Sequence, residues 1–545
     1  MSDVPIDQLR RQLRELGYLT RGLERWFALD PWRSRTFWTE LTLLGFKASV
    51  LVGAFAMFPM LGVMLMRNHL PLREAAILGA GYFLIDSASI FALILLTALT
   101  LKLRPSITVE SPVALLAVSA AVAAIVVGAI WFWWSRFPSA STAVEAIVGG
   151  ILVLILFVIG TLVFSAAFLS FSIHETGKIP SIHRRSRLIP ILLIGIGVVT
   201  ALLLPPQLQR ESDSLKAPSQ VSVTPTRVRL VVIAVDGLTS DVFAAREDLG
   251  RQLPHRSALG DLDALSSAER WASIGTGTPE RLHRVQSIEG VRIATGGPII
   301  QARSAADPIL GRLGATLHLT RTQPLPPTVR RRDYVWEILA RHGVPSVAVN
   351  WWSAGETNAP NLRVMSQESI FRAARRRTSD PSPLALEIDR LAVSRLESAI
   401  EKQDPRFATI YLPALDIVLN RLDLDPPRRL AASVTILDGV SHLVAESRRR
   451  GYEVIVIGSP GSTTSGSSIL ASTIPLRHAS SPWDLGPTIL QLFGFPTSAE
   501  MPGSAIAEGA APPEIPTYGS RDTRDSGVPV DREYYQSLRS LGYIR

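Results

Sequence analysis

Three places in the chain set down side chains that could do chemistry at one edge of a sheet. The run Val228 to Val235, in VRLVVIAVDG, is too short for a globular helix, rich in β-branched residues and closed by Asp236-Gly237. It reads as a buried parallel strand that delivers Asp236 to its C-terminal end, the edge where open α/β sheets collect ligands. Some thirty residues on, SSAERWASIGTG places small hydroxyl residues and glycines where a helix would begin beside that strand, so that Ser267 shares the crevice with Asp236. FATIYLPALD and YEVIVIGSPG are further strand-like runs ending at Asp416 and Ser459. The expected product is a pocket of carboxylates and hydroxyls. A serine there is a weak nucleophile near neutral pH until a base or a metal lowers its pKa. Asp236 can also be explained as a turn former in Asp-Gly, and Ser267 as a helix N-cap.

The elements that would carry these residues alternate. Strands are expected at Val228–Val235, from Ser346 in SVAVNW, in FATIYLPALD and in YEVIVIG. Helices are expected after Thr239, from Trp336 in WEILARHG, and through LAVSRLESAIEK, ILDGVSHLVAESRRRG and DLGPTILQLFGFP. This order predicts an α/β domain over 228–545, a doubly wound and mostly parallel sheet with helices on both faces. Asp236, Asp416 and Ser459 should lie at one edge of it.

The first 204 residues have a different character. The chain of 545 residues has a positive mean hydropathy of +0.23, which calls for a membrane region. A polar segment, 1–40, lacks the short apolar run and small-residue cleavage site of a signal peptide. Five apolar stretches follow, roughly Leu41–Met66, Glu74–Leu101, Pro112–Trp134, Ala143–Phe171 and Leu188–Leu204, each of about the ~17–25 residues that span a bilayer. Arginines and lysines gather in the N-terminal segment, at Lys102 and Arg104, and at Lys178, Arg184, Arg185 and Arg187. These are alternate loops, which places them in the cytoplasm and everything after Leu204 outside, in a multi-pass protein of the cytoplasmic membrane. The basic loop Arg67–Arg73 runs against this pattern. The aromatic run Trp131-Phe132-Trp133-Trp134 would fall at the outer interface. Asp86 sits mid-span, where a carboxylate is costly and faces a bundle interior or a wet cavity. It is either a structural group bonded to Ser87 or Ser89 or part of a proton or substrate path. Residues 205–227 read as a linker.

Cysteine is absent, which excludes disulfides and thiolate metal sites. The formal charge of +9 is spread along the chain without basic and aromatic interleaving, so a nucleic-acid partner is not expected. The expected partners are the membrane and an envelope protein or lipid-linked molecule. Two segments echo each other, LRELGYL at Leu13–Leu19 and LRSLGYI at Leu538–Ile544, and both read as helix ends capped by glycine.

Six fragments occur in the order found in one family: VDG at Asp236, TGTPERLH with His283, VWEILARHG, YLPALD at Asp416, a helix beginning ILDG and the turn DLGPT. On these the chain resembles the alkaline phosphatase superfamily, most closely its type I phosphodiesterases and nucleotide pyrophosphatases. The layout of spans followed by such a domain is similar to that of phosphoethanolamine transferases and lipoteichoic acid synthases. The resemblance implies the nucleophile at Ser267, ten residues before Gly277, and two metal ions, usually zinc, that clamp attacking and leaving oxygens.

One metal would take Asp236, Ser267 and an Asp-His pair, but Ser459 and Pro460 stand where that pair belongs. The other would take Asp416, the His of a D-x-x-x-H motif and a distant His. Asn420 stands at the first histidine, and only His478 is near the second. Four expected ligands are therefore missing, and Ser459, Pro460 and Asn420 mark lost positions. His283 matches a histidine that binds no metal. The expectation is a membrane-anchored pseudoenzyme that binds or scaffolds, without a cofactor, in a pocket whose two uncompensated carboxylates repel phosphate. The alternative is an active phosphodiesterase or phosphotransferase using Asp236, Ser267, Asp416 and His478 with zinc or manganese on envelope or lipid-linked phosphoesters. A third reading puts the function in the spans, around Asp86.

Overall fold

The computed structural model describes residues 15, 37–67, 72–103, 112–135, 143–174, 218, 221–260, 266–293, 299–301, 312–461, 466–477, 481–521 and 532–544. The chain forms two compact units: residues 1–208 with 291–321, and residues 209–290 with 322–545.

The first unit contains helices α1 (Phe37–Arg67), α2 (Leu72–Leu103), α3 (Pro112–Ser135) and α4 (Ala143–His174). Among the described residues these four are long and apolar enough to cross a membrane. A bilayer core offers no water to backbone N–H and C=O groups, so continuous apolar runs of this length satisfy them internally as helices. The central helix is α1: 78% of its apolar window is buried, against 22–33% in the other three. Close packing of α1 on α2 needs a small residue, and Gly53 supplies it; a Cβ there would stand 2.3 Å from the Ser87 hydroxyl. Leucines 84, 96, 116, 154 and 162 point outward. Asp86 lies on α2, half-buried. The fifth expected span, Leu188–Leu204, lies outside the described residues, as does most of the expected linker.

From Val291 on, the same unit holds an antiparallel hairpin, strands being numbered in chain order: β3 (Glu289–Ile293) pairs with β4 (Ile299–Ile300), Val291 opposite Ile300. Val291, Ile293 and Ile300 are buried in one apolar cluster with Met64, Leu65, Leu78, Tyr82 and Trp133. Those partners sit where α1 ends, α2 begins and α3 ends.

The second unit is built on an eight-stranded sheet. Its strands are β1 (Leu230–Asp236), β2 (His255–Leu259), β5 (Ser346–Val349), β6 (Thr357–Ala359), β7 (Leu362–Met365), β8 (Phe407–Leu412), β9 (Glu453–Ser459) and β10 (Ser468–Ser472), in the order β2-β10-β9-β1-β8-β5-β7-β6. The five central strands, β9 to β7, are parallel. The outer three pair antiparallel, so the sheet is mixed: its centre is parallel and its outer strands are not. Every residue of β1 and β8 is buried, as strands covered on both faces require. The main helices are α5 (Ser267–Thr276), α6 (Val335–Arg341), α7 (Pro381–Gln403), α8 (Pro426–Arg449), α9 (Leu485–Leu492) and α10 (Arg532–Ser540). The α7 helix packs on β8 and β5, and α8 on β9.

Candidate active site

The parallel register brings the expected residues to one edge. Asp236 ends β1 directly opposite Ser459, which ends β9. On its other side β1 pairs with β8, and the chain leaves β8 through Pro413 into a short turn of helix that carries Asp416. Gly237 follows Asp236 with φ +88°, and a Cβ there would meet the Asp416 backbone nitrogen at 2.5 Å, so glycine lets the β1 turn touch the Asp416 segment. Asp236, Asp416, Ser267 and Ser459 are all buried.

Ser266 caps α5, its hydroxyl accepting from the Glu269 N–H at 3.1 Å. Ser267 is therefore the first residue of the helix and is not its N-cap, which corrects the simpler reading of the sequence. Its Oγ is free of backbone capping and accepts a hydrogen bond from Arg421 Nη2 at 3.0 Å.

Arg421 is the residue the sequence reading missed. Residues Ile417–Arg421 form a π-turn, closed by the Leu422 N–H on the Ile417 carbonyl at 3.0 Å. Such a wide turn swings both the fourth and the fifth residue after Asp416 back over it. Asn420 Nδ2 donates to Asp416 Oδ1 at 2.8 Å, and Arg421 Nε to Asp416 Oδ2 at 2.5 Å. One guanidinium thus joins the carboxylate to the serine at the expected nucleophile position. Its outer face lies over the Tyr543 ring, 4.0 Å from Cζ to the centroid. A second guanidinium, Arg270, is one turn along α5 from Ser267, almost fully buried, and donates through Nη1 to the Gly461 carbonyl. Gly461, φ +75°, presses the β9 loop against Asp416, where a Cβ would come 2.1 Å from Oδ1. The Pro460 carbonyl lies 3.5 Å from Asn420 Nδ2.

The expected pair of uncompensated carboxylates is corrected by these two arginines. The neighbouring i, i+3 spacing of Ser267 and Arg270, and Arg421 at the fifth position after Asp416, were the available signals. The π-turn that makes Arg421 reach Asp416 has no signature in the sequence.

Asp236 is held from the sheet side. Tyr411 on β8 donates its hydroxyl to Asp236 Oδ2 at 2.8 Å. The Tyr411 ring is fixed by edge contacts with Trp271 and by tilted contacts with Trp351 and Trp352. Burial and the nearby Asp416 charge push the Asp236 carboxyl up to about 6, against the pull of Arg270, Arg421 and the Tyr411 hydroxyl. Burial draws the Arg421 pKa down, but Tyr543, Asp416 and Asp236 more than offset it and leave the guanidinium above its ordinary value.

His283 is a packed residue. Its Nδ1 accepts from the Val285 N–H at 3.1 Å, which assigns the proton to Nε2, and Nε2 bonds Ser273 Oγ at 2.9 Å. Burial, aided by Arg330, Arg284 and Arg332, lowers its pKa to about 3. His478 lies outside the described residues.

A zinc or manganese pair does not fit this donor set. Both Asp416 oxygens and the Ser267 hydroxyl are taken by Asn420 and Arg421, and Asp236 Oδ2 by Tyr411. Among the described residues no three His, Cys, Asp or Glu side chains converge on one point, where a catalytic zinc takes about three protein ligands.

No protein-family model and no curated protein matches the chain. Two of the solved structures that are similar follow. One is phosphonoacetate hydrolase from Sinorhizobium meliloti 1021 in complex with phosphonoformate, at 14% identity and TM-score 0.29, over 44% of this chain and 60% of that one. The other is murine ectonucleotide pyrophosphatase/phosphodiesterase 5, at 14% identity and TM-score 0.29, over 42% of this chain and 56% of that one. The chain matches less than two thirds of the length of either.

Proposed function

We propose that the chain is a membrane-anchored pseudoenzyme with the fold of the alkaline phosphatase superfamily, whose metal site has become a closed arginine–aspartate network and whose outer unit binds or scaffolds. One observation carries the reading: Arg421 bridges Asp416 and Ser267, one side chain from each of the two expected metal sites. The guanidinium has five donors and no acceptor, and it cannot deprotonate a serine. It donates to one lone pair of Ser267 Oγ, which draws electron density from the oxygen and lowers its nucleophilicity. With Arg270 opposite Asp236, two buried cations balance two buried carboxylates, so the network neither attracts a divalent ion nor needs one. The partner is an envelope protein or lipid-linked molecule met outside the cytoplasmic membrane.

The full chain in detergent is expected to hold no stoichiometric zinc or manganese and to cleave a chromogenic phosphodiester no faster than buffer. One equivalent of metal, together with cleavage that Ser267→Ala abolishes, would return the site to catalysis.

The orientation of the anchor rests on the alternating basic loops and on the hairpin. Its residues Val291, Ile293 and Ile300 pack where α1 ends, α2 begins and α3 ends, with Met64, Tyr82 and Trp133, while Lys102 belongs to the far end of α2. A reporter fused after Pro205 should therefore be active only in its extracytoplasmic form. Activity confined to the cytoplasm overturns this orientation.

A further inference from the structure

The last described residues, 532–544, are seated in the second unit. Tyr534 on α10 donates to Gln367 Oε1 at 2.6 Å and meets Phe371 edge-on, ring centroids 5.5 Å apart. Leu538 and Leu541 are fully buried. The chain then turns at Gly542, φ +74°, where a Cβ would come 3.1 Å from the Arg421 Cβ. Tyr543 lies under the Arg421 guanidinium and edge-on to Trp352, 5.3 Å between ring centroids in the latter pair. The Gly542 carbonyl accepts from Arg421 Nη1 at 3.4 Å. The tail thus covers the face of Arg421 that Asp416 and Ser267 leave open.

The polar fit on the sheet side of this tenant is incomplete: Asp236 Oδ1 and Ser459 Oγ on the strand ends are buried without a hydrogen-bond partner. Aromatic, apolar and cation–π contacts hold the tail in place. Each anchor is a separate side chain on one short terminal segment: Tyr534, Leu538, Leu541 and Tyr543, with glycine required at the turn.

We propose that Arg421, Trp352, Phe371 and Gln367 line a peptide-binding socket, and that the chain's own residues 532–544 fill it as an exchangeable ligand that shuts Arg421 off from solution. The proposal rests on the reading of the unit as a binding module and names what it binds: a segment with leucines three residues apart, followed by glycine, tyrosine and an aliphatic residue.

The test uses the full chain in detergent, shortened by residues 532–545, and a fluorescent synthetic peptide of residues 532–545. The peptide should bind the shortened chain and not the intact one, and Tyr543→Ala in the peptide should weaken binding about 30-fold, as loss of a buried aromatic anchor does. Phenylglyoxal labelling of Arg421, read by mass spectrometry, should be low in the intact chain, high in the shortened chain and low again with peptide. A folded shortened chain that ignores the peptide overturns the proposal. Should the shortened chain not fold, full-length Tyr543→Ala takes its place: with its melting midpoint kept, labelling of Arg421 must rise, and no rise overturns the proposal. Neither readout involves metal or hydrolysis. Zinc binding or phosphodiester cleavage by the intact chain would sink the pseudoenzyme reading and leave the peptide result standing.

Discussion

Arg421→Met is expected to destabilise the second unit by about 3–5 kcal/mol, the cost of leaving a buried charge without its partner. Asp416 is fully buried, and the variant takes away the guanidinium that pairs with its carboxylate while leaving the neutral amide of Asn420. Asp236, also fully buried, would lose one of the two guanidinium charges that restrain it. Protonating Asp236, whose carboxyl already stands at about 6, relieves part of the defect, so the loss should shrink as the pH is lowered. Combining Arg421→Met with Asp416→Asn should recover much of the stability, because removing both members of a buried pair costs far less than removing one. Thermal unfolding of the full chain, followed by tryptophan fluorescence, measures all three variants. Equal losses in the single and double variants would show that Arg421 acts only by packing against Tyr543.

Asp236→Asn should change the pH dependence in the opposite sense to ordinary acid denaturation. The carboxyl lies near 3.8 when unfolded and about 6 when folded, so the folded chain holds the proton more tightly. Its contribution is fully present below about pH 4 and is lost as the pH rises through 6, amounting to roughly 2–3 kcal/mol. Asparagine keeps an acceptor for Tyr411 and carries no charge, so the variant should gain on the wild type by that amount between pH 4 and 7. His283 works the other way. Its neutral form is buried with a pKa near 3, and the stability this gives is present above the ordinary value of 6.5 and lost on acidification. The two slopes oppose each other in the wild type, so the difference between variant and wild-type curves is the quantity to measure. A flat difference from pH 4 to 7 would show that Asp236 does not titrate there.

The strands that carry the site were legible because they are apolar runs bounded by turn residues. Asp236, Asp416 and Ser459 reach one edge because all three leave parallel strands of one sense. The sheet's outer strands were less legible: β6 has three residues and β2 alternates partly exposed positions, which gives no continuous apolar run. The expectation of lost ligands at Ser459, Pro460 and Asn420 came from comparing motifs, which do not show what surrounds those positions. Arg421 reaches Asp416 through a π-turn, Tyr543 comes from more than a hundred residues away, and Tyr411 reaches Asp236 from a neighbouring strand. Long-range pairing of this kind leaves no local period. The shift of the N-cap from Ser267 to Ser266 is a one-residue matter that only the geometry decides.

The hairpin of β3 and β4 bears on how the molecule can be taken apart. The chain leaves the helical unit near Leu208, returns to it at Val291 and leaves again after Arg321. A cut in the linker therefore severs one of three covalent crossings. A fragment beginning at Arg227 would carry Val291, Ile293 and Ile300 without Met64, Tyr82 and Trp133, the side chains that cover them. Exposed apolar residues on a paired strand invite association with detergent, lipid or another copy. Aggregation of such a fragment would then report a missing half of an interior surface, and polar substitutions at these three positions are the route to a soluble form.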